Sequence, residues 1–294
     1  MSDGKSCPIC GSSDTAPAFS VKGREYLKCA GCGIVFRGRI DAGDAKALYQ
    51  SDSYQKVQSE HHLDLRESVY FENLDAIEKK MKSGRILDVG CGEGQFLNLA
   101  AKRGWKTFGV EISPMAVRRA KEAFNLDIVA VELREARFPD SHFDVVTLFN
   151  VLDHLPFPVE ALKEIHRVLK PGGLLVVRVP NGVFHVNLIR AMTFLEPQLV
   201  FHLYCFTPGT VRSLLKTAGF EDIRITNSAP TPYDPYSVSP ALGNGGMQAI
   251  KKAVYGIAQA MFYLSAGALV AGPSMSIFAE KGTTTGVANG PSRD

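Results

Sequence analysis

The sequence predicts an α/β protein: a doubly wound, mostly parallel sheet with helices on both faces, and a small cysteine-bearing segment in front of it. Three observations carry this. From residue 84 onward, short apolar runs alternate with ten-residue amphipathic patterns. The stretch ILDVGCGEGQF (86–96) puts three glycines within five residues, directly after one of those runs. Four of the six cysteines form two Cys-x-x-Cys pairs near the N-terminus.

The pairs Cys7/Cys10 and Cys29/Cys32 are separated by eighteen residues, and each is followed by a glycine, Gly11 and Gly33. Glycine permits the tight turn that aims two thiolates at one ion. Residues 19–21 and 26–28 read as the strands of a hairpin between the pairs. A segment of about forty residues buries little apolar surface, so a structural Zn2+ on Cys7, Cys10, Cys29 and Cys32 is expected to supply much of its folding free energy. Four cysteines fill a tetrahedron and leave no open position, which excludes a catalytic role for that metal. Unrelated free thiols or a redox pair are the alternative.

Residues 41–83 follow as a helical linker, with helices expected at 44–49 and 66–80; Val69, Tyr70, Leu74 and Ile77 share one face of the second. Strands are expected at 85–89, 105–111, 126–131, 143–149, 174–179, 220–226 and 275–281. Helices are expected at 94–103, at 114–123 with Ser113 as N-cap, at 158–169 stopped by Pro171-Gly172-Gly173, and from Thr207-Pro208 to Ala218-Gly219. The resulting division is 1–40 cysteine ribbon, 41–83 linker and N-terminal cap, 84–228 nucleotide-binding core, 229–274 loop and apolar helix, 275–283 final strand and 284–294 flexible tail.

In such a sheet the ligand lies beyond the carboxyl ends of the strands, where strand order reverses. The loops after 89, 111, 132, 149 and 180 therefore surround one site. Gly90, Gly92 and Gly94 give G-x-G-x-G with Gln95 next, which departs from the dinucleotide G-x-G-x-x-G. Glu111 closes the second strand, seventeen residues after Gly94, where a carboxylate accepts ribose hydroxyl protons. Glu132 closes the third, in reach of an adenine amino group. Asp88 and Glu93 bracket the glycine loop, so an anionic ligand would be repelled and a sulfonium or ammonium welcomed.

ILDVGCGEGQF, TFGVEISP, RFPDSHFDVVTLFNVLDHL and VLKPGGLLVVRVPN together resemble the successive motifs of class I S-adenosylmethionine-dependent methyltransferases, over residues 84–226. The N-terminal knuckle and FHLYCFTPGTVRSLLKTAGF are similar to bacterial members that carry a zinc ribbon and act on sugars, lipids or secondary metabolites. The resemblance implies a Rossmann-like sheet of seven strands, the last antiparallel. It also implies S-adenosyl-L-methionine bound by Asp88, Gly90, Cys91, Gly92, Gly94 and Gln95 of the first loop. Glu111 and Ile112 of the second, Glu132 and Leu133 of the third and Asn150 of the fourth would complete the set.

Methyl transfer needs mainly alignment, and a hydroxyl acceptor also needs its proton removed. In the resembled family the loop after the fourth strand commonly reads Glu-His; here it reads Asp153-His154. His154 is the first candidate base, against a purely supporting role for it. His202 is the second and His185 a weaker third. The expected reaction is O-methylation of a small-molecule, sugar or lipid-linked acceptor. RNA methylation is the alternative enzyme and a non-catalytic donor-binding scaffold the alternative class. A net charge of +3 and the absence of a Lys/Arg-rich run with interleaved aromatics argue against nucleic acid.

The N-terminus reads as no secretion signal, and unpaired cysteines suit a reducing compartment, so the expected address is cytoplasmic. Residues 183–200 read as a substrate cap, and Tyr49 and Tyr54 as residues that close over the cofactor. In the apolar stretch 253–271, Ile250, Val254, Ile257, Met261, Leu264 and Ala268 fall on one helical face. That face is expected to pack over the acceptor pocket. Its alternatives are peripheral contact of 250–271 with the inner face of a membrane, or a dimer contact; the oligomeric state stays open.

Overall fold

The computed structural model describes residues 6–21, 23–51, 67–191, 202–229 and 243–283. Tyr54, the later part of the expected cap (192–200), most of the loop at 230–246 and the tail from 284 lie outside them.

The N-terminal segment is a hairpin of β1 (Thr15–Val21) and β2 (Arg24–Cys29), followed by β3 (Val35–Arg37). Helices α1 (Ala42–Gln50) and α2 (Glu67–Glu78) come next. The core then runs β4 (Arg85–Val89), α3 (Gln95–Lys102), β5 (Lys106–Val110), α4 (Pro114–Phe124), β6 (Ile128–Val129) and β7 (Phe143–Phe149). It continues with α5 (Pro158–Val168), β8 (Leu169–Pro180), α6 (Gly182–Ala191), β9 (Tyr204–Cys205) and α7 (Pro208–Thr217). The chain closes with β10 (Phe220–Ser228), α8 (Gly243–Leu264) and β11 (Ser274–Lys281).

The main sheet has the order β10-β11-β8-β7-β4-β5-β6. Strands β6, β5, β4, β7 and β8 run parallel, and β11 lies antiparallel between β8 and β10. The seven strands and the reversed last one are thus as expected. Alternate residues serve opposite faces. Leu87, Val146, Val177 and Ile277 join the core on one side, while Ile86, Val145, Val176 and Phe278 join the other. Strand order reverses at β4, whose neighbours are β7 and β5, and this opens the loops after β4 and β7 onto one crevice.

Local signals hold at the helix starts. Ser113 Oγ accepts the Ala116 amide at 3.3 Å, and Thr207 forms a reciprocal cap with Thr210. Three expectations need correction. The helix ending at Val168 stops before Pro171-Gly172-Gly173; those residues sit in an outward loop of β8, where pairing jumps from Phe143↔Leu169 to Val145↔Leu174. The third core strand spans only Ile128–Val129, so Glu132 lies beyond it in the following turn.

The third concerns α8. Its expected inward face points out: Ile257 is 63% exposed, Leu264 89%, and Met261 is also exposed. Ala258 is buried, and the helix is pinned by Asn227 of β10, whose Nδ2 donates to the Ala258 carbonyl at 2.9 Å. A polar anchor and a small side chain seat this helix. Apolar periodicity alone misassigns the face because it does not report which side meets the sheet.

The ribbon is not a free appendage. Its β3 pairs antiparallel with β9, a two-residue strand from within the core, giving the sheet β1-β2-β3-β9. Cys7, Leu27, Cys29, Ile34 and Phe36 belong to the same buried cluster as Leu87, Val146 and Val177. Among the described residues no helix is long and apolar enough to cross a membrane.

Candidate functional site

The glycine loop between β4 and α3 is shaped by packing on two sides and open on the third. A Cβ at Gly90 would meet Val151 at 2.6 Å, and one at Gly94 would meet Leu126 at 2.5 Å. A Cβ at Gly92 would meet nothing within 4 Å. All three have positive φ. Two glycines thus let the loop sit tight on its neighbours, and the middle one bares the backbone to whatever enters.

Two acids lie under this loop, Asp88 buried and Glu111 half-buried. Asp88 Oδ1 accepts the Thr147 hydroxyl at 2.7 Å. Burial pushes its carboxyl up to about 7, the Thr147 bond opposing and the Glu111 charge adding to the rise. Glu111 uses both oxygens on backbone: Oε2 accepts the Gly92 amide and Oε1 the Ser113 amide, each at 2.9 Å. Burial raises its pKa too, against the pull of those amides. Glu111 therefore fastens the glycine loop to the loop after β5. Helix α1 spans the same edge: Gln50 donates to the Ile112 carbonyl at 3.0 Å and Lys46 pairs with Glu132 at 2.8 Å.

The turn after β7 carries the titratable cluster. Asp153 is 1% exposed, and its Oδ2 is hydrogen-bonded to His202 Nδ1 and lies 3.6 Å from His154 Nε2. Burial pushes this carboxyl up, but the two imidazoles outweigh that and hold it down at about 2. The imidazole rings lie 4.6 Å apart, and His154 Nδ1 shares a 2.6 Å hydrogen bond with Tyr49 Oη of α1. Asp153 Oδ1 is buried without a hydrogen-bond partner among the described residues, and such an oxygen calls for an incoming donor, a hydroxyl or a water. His154 and Asp153, adjacent in the turn, and His202, about fifty residues further on, form one constellation. His185 does not join it; its Nε2 is within 2.6 Å of the Pro273 carbonyl.

The deciding observation for the family comes from sequence comparison. Residues 61–225 match the family described as "Methyltransferase domain". The chain belongs to this family.

S-Adenosylmethionine is the cofactor of this methyltransferase family, and the fold agrees. A solved S-adenosylmethionine-dependent methyltransferase from Archaeoglobus fulgidus superposes with a TM-score of 0.52 at 21% identity, covering 78% of this chain and 100% of that one. A Mycolicibacterium smegmatis protein named as a probable S-adenosylmethionine-dependent methyltransferase is 31% identical over 53% of this chain and 60% of its own length. Arabidopsis thaliana tocopherol O-methyltransferase is 26% identical over 70% of this chain and 68% of its own. In its first relatives the match spans only 30% to 60% of their length.

In this chain, not every expected donor contact presents a side chain to the crevice. Cys91 Sγ packs inward against Gly109, and Leu133 is part of the core, so each can offer only backbone. Glu93 pairs with Arg119 of α4 at 2.8 Å instead of facing the loop opening. The exposed Glu132 carboxylate is held by Lys46. Gln95 is half-buried at the start of α3, and Asn150 has φ +58. Sequence reasoning missed Arg178, which is 1% exposed and donates to Asn150 Oδ1 at 2.6 Å, Ser228 Oγ at 3.0 Å and the Ala229 carbonyl at 3.1 Å. A lone charge inside LLVVRVP was the available signal.

The four cysteine sulfurs lie within 4.8 Å of one another, Cys7 to Cys32 at 3.6 Å and Cys10 to Cys29 at 3.5 Å. A disulfide requires about 2.05 Å. Four thiolates about 2.3 Å from one ion stand roughly 3.8 Å apart, so the set fits a tetrahedral metal. Gly11 and Gly33, both with φ near the left-handed region (+74° and +76°), turn the two knuckles.

A cationic donor favours ionised Asp88, so its binding lowers that pKa and releases a proton. Donor affinity is expected to rise up to about tenfold per pH unit below about 7 and to level off above it. Calorimetry between pH 5.5 and 7.5, buffered with compounds of different ionisation enthalpy, measures both effects, and Asp88→Asn should flatten the slope.

Proposed function

We propose that this chain transfers a methyl group from S-adenosylmethionine to a hydroxyl of a small-molecule, sugar or lipid-linked acceptor, with His202 as the base and Asp153 as its partner. The observation that carries this is the His202 Nδ1–Asp153 Oδ2 hydrogen bond at the switch-point crevice. S-Adenosylmethionine supplies a methyl already activated on a sulfonium. What remains for the protein is alignment and removal of the acceptor proton. Asp153, ionised far below neutral pH, fixes the His202 proton on Nδ1 and leaves Nε2 basic. Nε2 takes the hydroxyl proton as the acceptor oxygen forms its bond to the methyl carbon and the carbon–sulfur bond breaks. Asp153 then stabilises the imidazolium. His154, tied to Tyr49, keeps α1 closed over this turn.

Support for oxygen as the acceptor atom comes from the tocopherol O-methyltransferase relative. A lipid-borne acceptor is favoured by α8, where Ile257, Met261 and Leu264 share one exposed face and Tyr263 and the following Leu269 are exposed as well. We read that surface as a peripheral membrane contact. The four thiolates we read as a structural zinc site, with no part in the chemistry.

His202→Gln and Asp153→Asn are each expected to lower turnover by roughly 10²–10⁴-fold while donor affinity stays within a few fold. Release of S-adenosylhomocysteine with hydroquinones, catechols and sugars as probe acceptors measures this; full turnover in both variants would discard the base. About one zinc per chain is expected by elemental analysis, and a metal-free protein with intact fold would refute the site. Vesicles are expected to carry the protein on flotation at moderate salt, and Leu264→Glu with Ile257→Glu should abolish it.

A further inference from the structure

We propose that the cysteine ribbon is a positioning element of the active site, with Tyr26 of β2 and the β3–β9 pairing holding His202 in register with Asp153. This rests on the reading of His202 as the base. The reason lies in how residues 202–205 are held. Tyr26 Oη donates to the His202 carbonyl at 2.8 Å in a fully buried setting. The next carbonyl, Leu203, accepts the Arg37 amide at 2.9 Å, and Val35 and Phe36 then pair with Cys205 and Tyr204. From the opposite side the Leu203 amide donates to the Asp153 carbonyl at 2.8 Å, and Tyr204 Oη donates to the Pro156 carbonyl at 3.0 Å. The backbone carrying His202 is therefore clamped between the ribbon and the turn that carries its own carboxylate partner.

Among the described residues, two-residue β9 has no other strand beside it in its sheet, so without β3 it has no ladder there. Strand β3 in turn begins at Val35, directly after the Cys29–Ile34 knuckle, whose ends are joined by the Cys29 amide on the Ile34 carbonyl at 2.9 Å. The path from knuckle to imidazole is thus short and continuous: knuckle, β3, β9, His202. Tyr26 suits the role, because burial pushes its phenol pKa up and keeps the hydroxyl a donor. A carbonyl left unpaired in that interior would cost enough to move the segment. Tyr26 touches no reacting group; it acts through His202.

The test uses the full chain and needs no acceptor. The His202 Nδ1–H proton, hydrogen-bonded to Asp153, gives a far-downfield imidazole resonance that His202→Gln removes, which assigns it. Tyr26→Phe keeps the ring and deletes the donor; the resonance is expected to broaden or vanish, with its solvent exchange roughly tenfold faster. Arg37→Pro deletes the amide on Leu203 and is expected to do the same, and it decides the matter if Tyr26→Phe does not fold. Thr207→Ala, which weakens the neighbouring helix cap without touching this clamp, should leave the resonance unchanged. A resonance unaltered in the folded Tyr26 and Arg37 variants overturns the proposal, and so does its equal loss in Thr207→Ala. The outcome is separable from the base itself. If His202→Gln retains turnover, the chemistry assigned to His202 fails, while loss of the signal in Tyr26→Phe would still establish the clamp.

Discussion

Asp153 is the carboxylate on which the rest of the site depends. Burying an ionised acid is costly unless it is paired. Here two imidazoles compensate the burial, and each comes from or leads to a different part of the chain. His202 brings the segment that enters β9, and with it the ribbon. His154 stands beside Asp153 and reaches Tyr49, and so fixes α1 across the loops after β5 and β6. The 3₁₀ turn at Leu152–His154 gives its acid almost no contact with water and makes it the point where ribbon, cap and sheet meet. With Asp153 neutralised or removed, the imidazoles lose their common partner and the three parts lose their shared fixed point.

This constraint also explains which features were legible in the sequence. The long core strands, β7 and β8 above all, were readable as apolar runs bounded by turn residues, and the helix starts at Ser113 and Thr207 because a side-chain cap is a local event. The cysteine spacing was readable because ligand geometry is itself a spacing rule. Strand β9 was not. Two residues have no period, and their pairing with β3 joins positions about 170 apart. The junction of Asp153 with His202 was hidden for the same reason: the sequence supplied each as a candidate but not their contact. On α8 the failure is of another kind. Apolar residues at three- and four-residue steps mark a stripe, but a stripe faces the sheet only if nothing better anchors the helix, and Asn227 does. Arg178 shows a third kind, a charge in a central strand that is tolerated because carbonyl and hydroxyl acceptors at the ends of β7 and β10 surround it.

The donor side follows a complementary electrostatic logic. Asp153 is held ionised by neighbouring imidazoles, whereas burial holds Asp88 and Glu111 toward their protonated forms. A carboxyl that titrates near neutral pH, as Asp88 does, is poised to lose its proton when positive charge arrives. The loop is built around that response. Glu111 spends two amide bonds on keeping Gly92 and Ser113 in place, so its charge can answer a ligand without the loop having to rearrange.

That poise gives the acids a direction as well as an affinity. On the proposed function, methyl transfer removes the positive charge of the donor, so Asp88 and Glu111 would hold the ligand more strongly before the reaction than after it. As the charge disappears, the reason for Asp88 to stay ionised weakens and it moves back toward taking up a proton. With His202 as the proposed base, the acceptor side changes in the opposite sense, because His202 would gain a proton beside ionised Asp153 at the same step. One half of the crevice thus loses positive charge while the other gains it, with the total conserved between two sites, each furnished with its own carboxylate. On that proposal, release of the neutral thioether is favoured by the very groups that bound the sulfonium, and the proton left on His202 must return to solvent before the next cycle.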